Sequence, residues 1–183
     1  MKDHRQEFQR YTLEHYESEY ADRHLLHGVI AKWAAERPDQ LAIQEFDTGC
    51  EYTYLEFHER SSALALRLLQ LGFTKGDFLA TMLPLTAEHL FLEYACFQIG
   101  VIHAPVDLRL KAPEVIRSLE LVQAKGFVFQ GETSFGDFAE IAREVQRECP
   151  FIEHYIQFAE PQEVIARAIG STELISTATA LWK

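Results

Sequence analysis

Apolar positions along the middle of this chain alternate between two rhythms. Phe57, Ser61, Leu64, Leu68 and Leu71 fall four and three apart, the spacing of one helix face, while Glu56, Arg60, Arg67 and Gln70 take the opposite face. Thr53 and Glu56 stand as a Thr-x-x-Glu capping box at its start, with Tyr52 and Phe57 placed to staple it. Gly72 suits the left-handed residue that closes a helix, and Phe73 can pack back on Leu68. Lys75-Gly76-Asp77 then reads as a turn. Phe78 to Leu83 is almost continuously apolar, as a strand covered on both faces must be, and Pro84 ends it.

The same alternation repeats. The pattern predicts a helix over Ala87–Ile99 closed by Gly100, and a strand over Val101–Ala104 ended by Pro105. Pro113 and Glu114 suit a first helical turn, where proline forfeits no hydrogen bond and the acid meets the helix dipole. Val115, Leu119 and Val122 mark the inner face of that helix. GFVFQ (126–130) is the next strand, Phe135–Glu148 a helix, Ile152–Phe158 a strand, and Pro161–Ile169 a helix closed by Gly170. Upstream, Leu25–Glu36 reads as helix. Leu41–Phe46 and Glu51–Tyr54 read as a hairpin around Asp47-Thr48-Gly49. Strands alternating with helices argue for an α/β fold, a parallel sheet flanked by helices on both faces. No internal repeat or linker interrupts it.

Composition narrows the picture. The 183 residues suffice for one core of ordinary size, and a 48% hydrophobic content excludes disorder. A formal charge of −11 argues against nucleic acid and against an anionic membrane surface as partners. Cys50, Cys96 and Cys149 are far apart with no CxxC, so neither zinc nor a disulfide framework is suggested and a reduced, cytoplasmic setting fits. The N-terminal residues are too polar for a signal peptide, and Leu90–Val106 is too interrupted to span a bilayer.

Candidate chemistry is sparse. GxGxxG, GxxxxGK[ST], GxSxG and HExxH are absent. Gly170-Ser171-Thr172-Glu173 is the nearest thing to a phosphate loop, but it has no following lysine and Glu173 would repel an anion. It reads better as a helix end with a polar turn. His24 and His27, with Asp22, are spaced to share a metal but lack a local third ligand. His103, inside an apolar strand, reads as a satisfied core histidine. Glu17/Glu19 and Glu36/Asp39 read as solvated faces, Phe8, Tyr11, Tyr16 and Tyr20 as a packed N-terminal arm, and Ser61-Ser62 as helix residues without a base.

The order of segments carries more than any of them singly. Arg37-Pro38-Asp39 with Ala42, Thr53-Tyr54-x-Glu56, Leu71-Gly72 followed by Lys75-Gly76-Asp77 and a strand, Gly100 with Pro105, then Glu114 and GFVFQ stand in one sequence. This resembles the start of the AMP-binding, adenylate-forming enzymes, over roughly residues 24 to 158. Pro105-Val106-Asp107-Leu108-Arg109-Leu110 looks slightly more like acyl-CoA synthetases than like peptide-synthetase domains. The resemblance implies the incomplete first part of a large N-terminal domain. It divides the chain into a polar arm (1–23), an α/β subdomain (24–170) and a segment (171–183) before the family's phosphate loop.

It also implies a parent that joins a carboxylic acid to ATP, giving an acyl-adenylate, and passes the acyl group to coenzyme A. ATP, Mg and coenzyme A are thus expected for the complete enzyme. The family's Ser/Thr/Gly-rich loop with its lysine, its adenine- and ribose-binding residues and its late lysine have no counterpart here. No catalytic, cofactor-binding or metal residue is therefore assigned, and the chain alone is expected to be inactive. The remainder of the parent enzyme is the expected partner. Self-association is expected through surface left open around Leu174, Ile175, Leu181 and Trp182. The other readings are a stand-alone, non-catalytic binding or interaction module, and an unrelated small doubly wound protein of flavodoxin type.

Overall fold

The computed structural model describes residues 12–20, 25–133 and 136–182. Phe8, Tyr11, Asp22 and His24 lie outside them, as do the side chains of Tyr16, Glu19 and Tyr20. Helices α1 (Leu13–Tyr20) and α2 (Leu26–Glu36) lead into an antiparallel hairpin, β1 (Leu41–Gln44) and β2 (Glu51–Thr53). Helix α3 (Tyr54–Gln70) follows without a break. Its start is the expected capping box: Thr53 Oγ1 accepts the Glu56 N–H at 3.2 Å, and Glu56 accepts the Thr53 N–H at 2.8 Å. The buried face is Phe57, Ser61, Leu64 and Leu68 with their small neighbours, as the spacing predicts. Tyr52 and Phe57 meet on a third ring, Phe91, with centroids 5.1 Å and 5.5 Å from it.

Then come β3 (Phe78–Met82), α4 (Ala87–Ile99), β4 (Ile102–Pro105), α5 (Ala112–Val122) and β5 (Gly126–Gln130). A small antiparallel pair, β6 (Glu132–Thr133) and β7 (Gly136–Asp137), precedes α6 (Phe138–Glu148), β8 (His154–Phe158), β9 (Ala168–Gly170) and α7 (Ser171–Trp182). Strands β4-β3-β5-β8-β9 form one sheet, parallel throughout.

The sheet splits the core in two. On one face Leu79, Val128 and Ile156 pack with α3, α4 and α7; on the other Ala80, Met82, Phe127, Phe129 and Tyr155 pack with α5 and α6. That two-sided burial explains the continuous apolar strands. Gly126 is required where β5 begins: a Cβ there would come within 2.7 Å of both Leu79 Cδ1 and Phe73 Cζ. Gly100 closes α4 in the left-handed region, φ 72°.

Some expectations fail. Pro161–Ile169 is not a helix. Only Pro161–Glu163 makes a 3₁₀ turn, and Ala168–Gly170 joins the sheet as its fifth strand. The cause is tertiary. The fully buried Gln157 accepts the Ile165 N–H at 2.7 Å and donates to the Glu163 carbonyl at 3.3 Å, drawing the segment across the end of the sheet. The open edge of β8 then takes backbone bonds from β9. Gly170 ends that strand rather than a helix, so Gly170-Ser171-Thr172-Glu173 is a strand end leading into α7. Leu174, expected at an open surface, is fully buried against the core, while Leu181 and Trp182 remain 40% and 42% exposed.

Candidate functional site at the carboxyl edge of the sheet

Strand β3 has β4 on one side and β5 on the other, with α4 covering one face and α5 the opposite one. The chain reverses direction across the sheet here. In open parallel sheets the crevice beyond the strand carboxyl ends at such a point is the favoured ligand position. The segments that meet there are Leu83–Thr86 after β3, Val106–Leu110 after β4, and the small β6/β7 pair after β5.

Helix starts at this edge would ordinarily attract anions. Here the chain's own carboxylates already occupy them. Glu45 accepts the Ala87 N–H at the head of α4 (2.6 Å), Glu114 the Lys111 N–H at α5 (3.0 Å), and Asp137 the Glu140 N–H at α6 (3.0 Å). Thr86 Oγ1 takes the His89 N–H as well. Asp107 is engaged with Arg109, whose hydrogen bonds draw its carboxyl down to about 2. An open cleft of ≈ 810 Å³ beside β5 and β8 is lined by Gly131, Asp137, Arg143, Gln157 and Glu163 among others. Its lining sets Arg143 among the acids Glu132, Asp137 and Glu163 and includes no lysine.

A polar cluster lies just beneath the switch point. His89 Nδ1 is 3.1 Å from the Pro84 carbonyl, and His103 Nδ1 is 3.4 Å from Glu93 Oε1. The two Nε2 atoms lie 3.2 Å apart, and Thr81 Oγ1 sits 3.2 Å from that of His89 and 2.8 Å from that of His103. Burial holds the His103 imidazole below the usual histidine range; Glu93 pulls it back up and His89 lowers it further. His103 is thus the hydrogen-bonded core histidine its setting predicts. Sequence reasoning missed its partners, because strand β4 lies beside β3 and α4 only through tertiary pairing. The one local signal was the four-residue spacing of His89 and Glu93 on α4.

The remaining candidates do not converge. His27 lies on α2, and among the described residues no group of three or more His, Cys, Asp or Glu gathers for a metal. Ser61 Oγ is bonded to the Phe57 carbonyl at 2.8 Å and accepts from Gln98 Nε2 at 3.2 Å, with no base beside it. Burial pushes the Cys96 and Cys149 thiols up to about 12 and 11, which leaves them unreactive. Glu36 pairs with Lys32 on an exposed surface. A separate apolar groove of ≈ 410 Å³ runs between α3, α4 and α7, past Leu64, Phe91, Ile175 and Trp182.

The family model for AMP-binding enzymes matches residues 30–174, which take in the whole sheet and every helix from within α2 to the start of α7. The chain belongs to the AMP-binding enzyme family. As a member of it, the chain is 36% identical over 90 residues to a 2-succinylbenzoate–CoA ligase of Oceanobacillus iheyensis, which covers 49% of this chain and 18% of that protein. It is 27% identical over 140 residues to acetyl-coenzyme A synthetase 1 of Candida albicans, covering 72% of this chain and 21% of the relative.

Solved structures share the fold. One from Rhodopseudomonas palustris, assigned as a long-chain-fatty-acid CoA ligase, superposes with a TM-score of 0.73 at 24% identity, over 82% of this chain and 36% of the other. A coronafacic acid ligase from Pectobacterium brasiliense gives 0.72 at 18% identity, over 82% and 29%. The chain therefore spans about a fifth of those two curated relatives and about a third of the structures. No helix among its described residues is long and apolar enough to cross a membrane.

Proposed function

We propose that this chain is the first α/β subdomain of an AMP-forming ligase that activates a carboxylic acid, fatty or otherwise acyl, as its adenylate and transfers it to coenzyme A. The observation that carries this reading is the family match across the complete parallel sheet, together with relatives that are CoA ligases. On this reading ATP, Mg and coenzyme A are bound chiefly by the rest of the enzyme. Residues 1–23 are a polar arm, 24–170 the subdomain, and 171–183 the joint toward that remainder.

The chain by itself then performs no adenylation. That step needs charge neutralisation on a developing polyphosphate by backbone N–H groups, a lysine and a metal. The carboxylate-capped helix starts of the switch-point edge offer the opposite charge. ATP–pyrophosphate exchange with a panel of fatty and aromatic acids tests this. Exchange at the no-enzyme level is expected; acid-dependent exchange above it would sink the idea of an inactive subdomain. The parent is tested on the coding DNA: a reading frame continuing into a glycine-rich, lysine-containing loop supports it, and a natural stop at codon 183 favours a stand-alone binding module.

The exposed Leu181 and Trp182 support weak self-association of the isolated chain in a cytoplasmic setting. Light scattering showing a clean monomer at high concentration would exclude that.

A further inference from the structure

We propose that Thr81, His89 and His103 bind a single proton as one unit, forming a buried proton site at the joint of β3, β4 and α4. The argument is a count of hydrogens. The Pro84 carbonyl can only accept, so His89 Nδ1 carries a hydrogen. The Glu93 carboxylate can only accept, so His103 Nδ1 carries one too. In neutral imidazoles that leaves both Nε2 atoms bare, and these atoms face each other at 3.2 Å.

Thr81 Oγ1 stands within hydrogen-bonding distance of both and has one hydrogen to give. Whichever nitrogen receives it, the other is left with only lone pairs before it. Thr81 is 1% exposed and His89 9%, and the His103 side chain 5%, so solvent has little access to make up the deficit. An unmatched buried acceptor is costly.

One added proton completes the set. With it on His89 Nε2, the chain of donors runs from His89 to Thr81 and from the Thr81 hydroxyl to His103 Nε2. With it on His103 Nε2 the same chain runs the other way. Transfer of the His89 Nε2 proton to Thr81 Oγ1 as the Thr81 hydroxyl gives its own hydrogen to His103 Nε2 interconverts the two, so the proton belongs to the pair. A second proton would set two imidazolium N–H groups against each other at 3.2 Å, and like charge at that range disfavours it.

The surrounding groups agree. On α4, Glu93 supplies a negative charge next to His103, and its side chain is 31% exposed, a contact with solvent. Cys96 on the same helix stays a neutral thiol. Glu88 acts on Tyr52, and Glu45 reaches the start of α4 through the Ala87 N–H. Strand β3 contributes only the neutral Thr81 to the cluster. Glu93 stands at the far nitrogen of His103, not between the two Nε2 atoms, and among the described residues no group of three His, Cys, Asp or Glu is placed to hold a metal, so the two imidazoles and the hydroxyl suit a proton better than a metal ion. Because His89 holds the Pro84 carbonyl and α4 starts at Ala87, proton uptake is bonded directly to the turn at the sheet's switch point.

Imidazole nitrogen spectra of the ¹⁵N-histidine-labelled chain test this, recorded from about pH 8 to about pH 4, either side of the ordinary histidine value near 6.5. At the alkaline end both rings are expected to carry hydrogen on Nδ1. On acidification both are expected to shift with one shared midpoint and one proton taken up in total. Thr81→Val removes the bridge and should lower proton affinity about tenfold, one pH unit in the midpoint; Thr81→Ser should restore it. Should the valine variant fail to fold, Glu93→Gln in the folded chain should move the shared proton from His103 toward His89. An Nε2–H form of either ring at the alkaline end, two independent one-proton titrations, or a proton distribution unmoved by Glu93→Gln would overturn the proposal. So would Zn²⁺, added alone near pH 8, binding both Nε2 atoms.

Discussion

Both faces of the sheet bury a polar device, and they close in different ways. On the α5/α6 face it is Gln157, whose amide gives its N–H to the Glu163 carbonyl and accepts the Ile165 N–H. An amide owns a fixed donor and a fixed acceptor, so both needs are met at any pH. On the α3/α4/α7 face it is the pair His89 and His103 around Thr81, which is one hydrogen short of completion when neutral. The first device is a permanent fastening of the β8–β9 connection. The second responds to proton concentration. The same fold thus carries one pH-insensitive and one pH-sensitive half.

The contrast can be broken most forcefully by emptying each face. Phe129→Ala on the α5/α6 side removes a ring with no solvent exposure and should lose about 3–5 kcal/mol, and Leu92→Ala on the other side about 2–5 kcal/mol. Urea unfolding measures both. A loss below about 1 kcal/mol at either position would mean that face is not tightly filled.

Gln157→Leu comes next. It orphans the buried Ile165 N–H and should cost about 1–3 kcal/mol, equally at neutral and acid pH. A cost that varied with pH would erase the distinction between the faces.

The histidine face predicts the opposite behaviour. Burial and the facing imidazole keep a second proton off the pair, so at acid pH the native state binds fewer protons than the unfolded chain. Stability is then lost as pH falls below the unfolded value of about 6.5, where both histidines of the unfolded chain take up protons. The slope reaches about 1.4 kcal/mol per pH unit for one excluded proton. His154, also lowered chiefly by burial, adds a similar dependence of its own. His103→Asn should therefore flatten the curve only in part. A stability profile unchanged by that substitution would show that the cluster does not exclude its second proton.

The smallest effect expected is at the start of α3. Thr53→Ala deletes the acceptor of the Glu56 N–H and should cost about 1 kcal/mol, read as a shift of the urea midpoint. Because it touches neither buried device, its cost should not depend on pH. An unchanged midpoint would mean the cap is not holding the helix.

Helix α3 was legible to within a residue or two, because its signals are local: a capping box, a face repeating every three to four residues, and a glycine able to turn left-handed. Strands β3 and β5 were legible because burial on both faces leaves no polar alternation. The family was legible from the order of short landmarks, although each is weak singly. Local composition decided these features, so neighbouring residues alone could report them.

Pro161–Ile169 was misread because its apolar spacing suits a helix as well as a strand. The choice was made by an unpaired edge on β8 and by Gln157, which no local window contains. The same holds for Leu174, buried by α7 folding back on α3 and β8. It holds most of all for Thr81, His89 and His103. Thr81 and His103 are 22 residues apart and meet only because β3 and β4 pair in parallel with α4 crossing above them. Hydrogen-bond partners brought together by a crossover leave no periodic trace in the chain, so only the tertiary structure could decide that the two histidines share one hydroxyl.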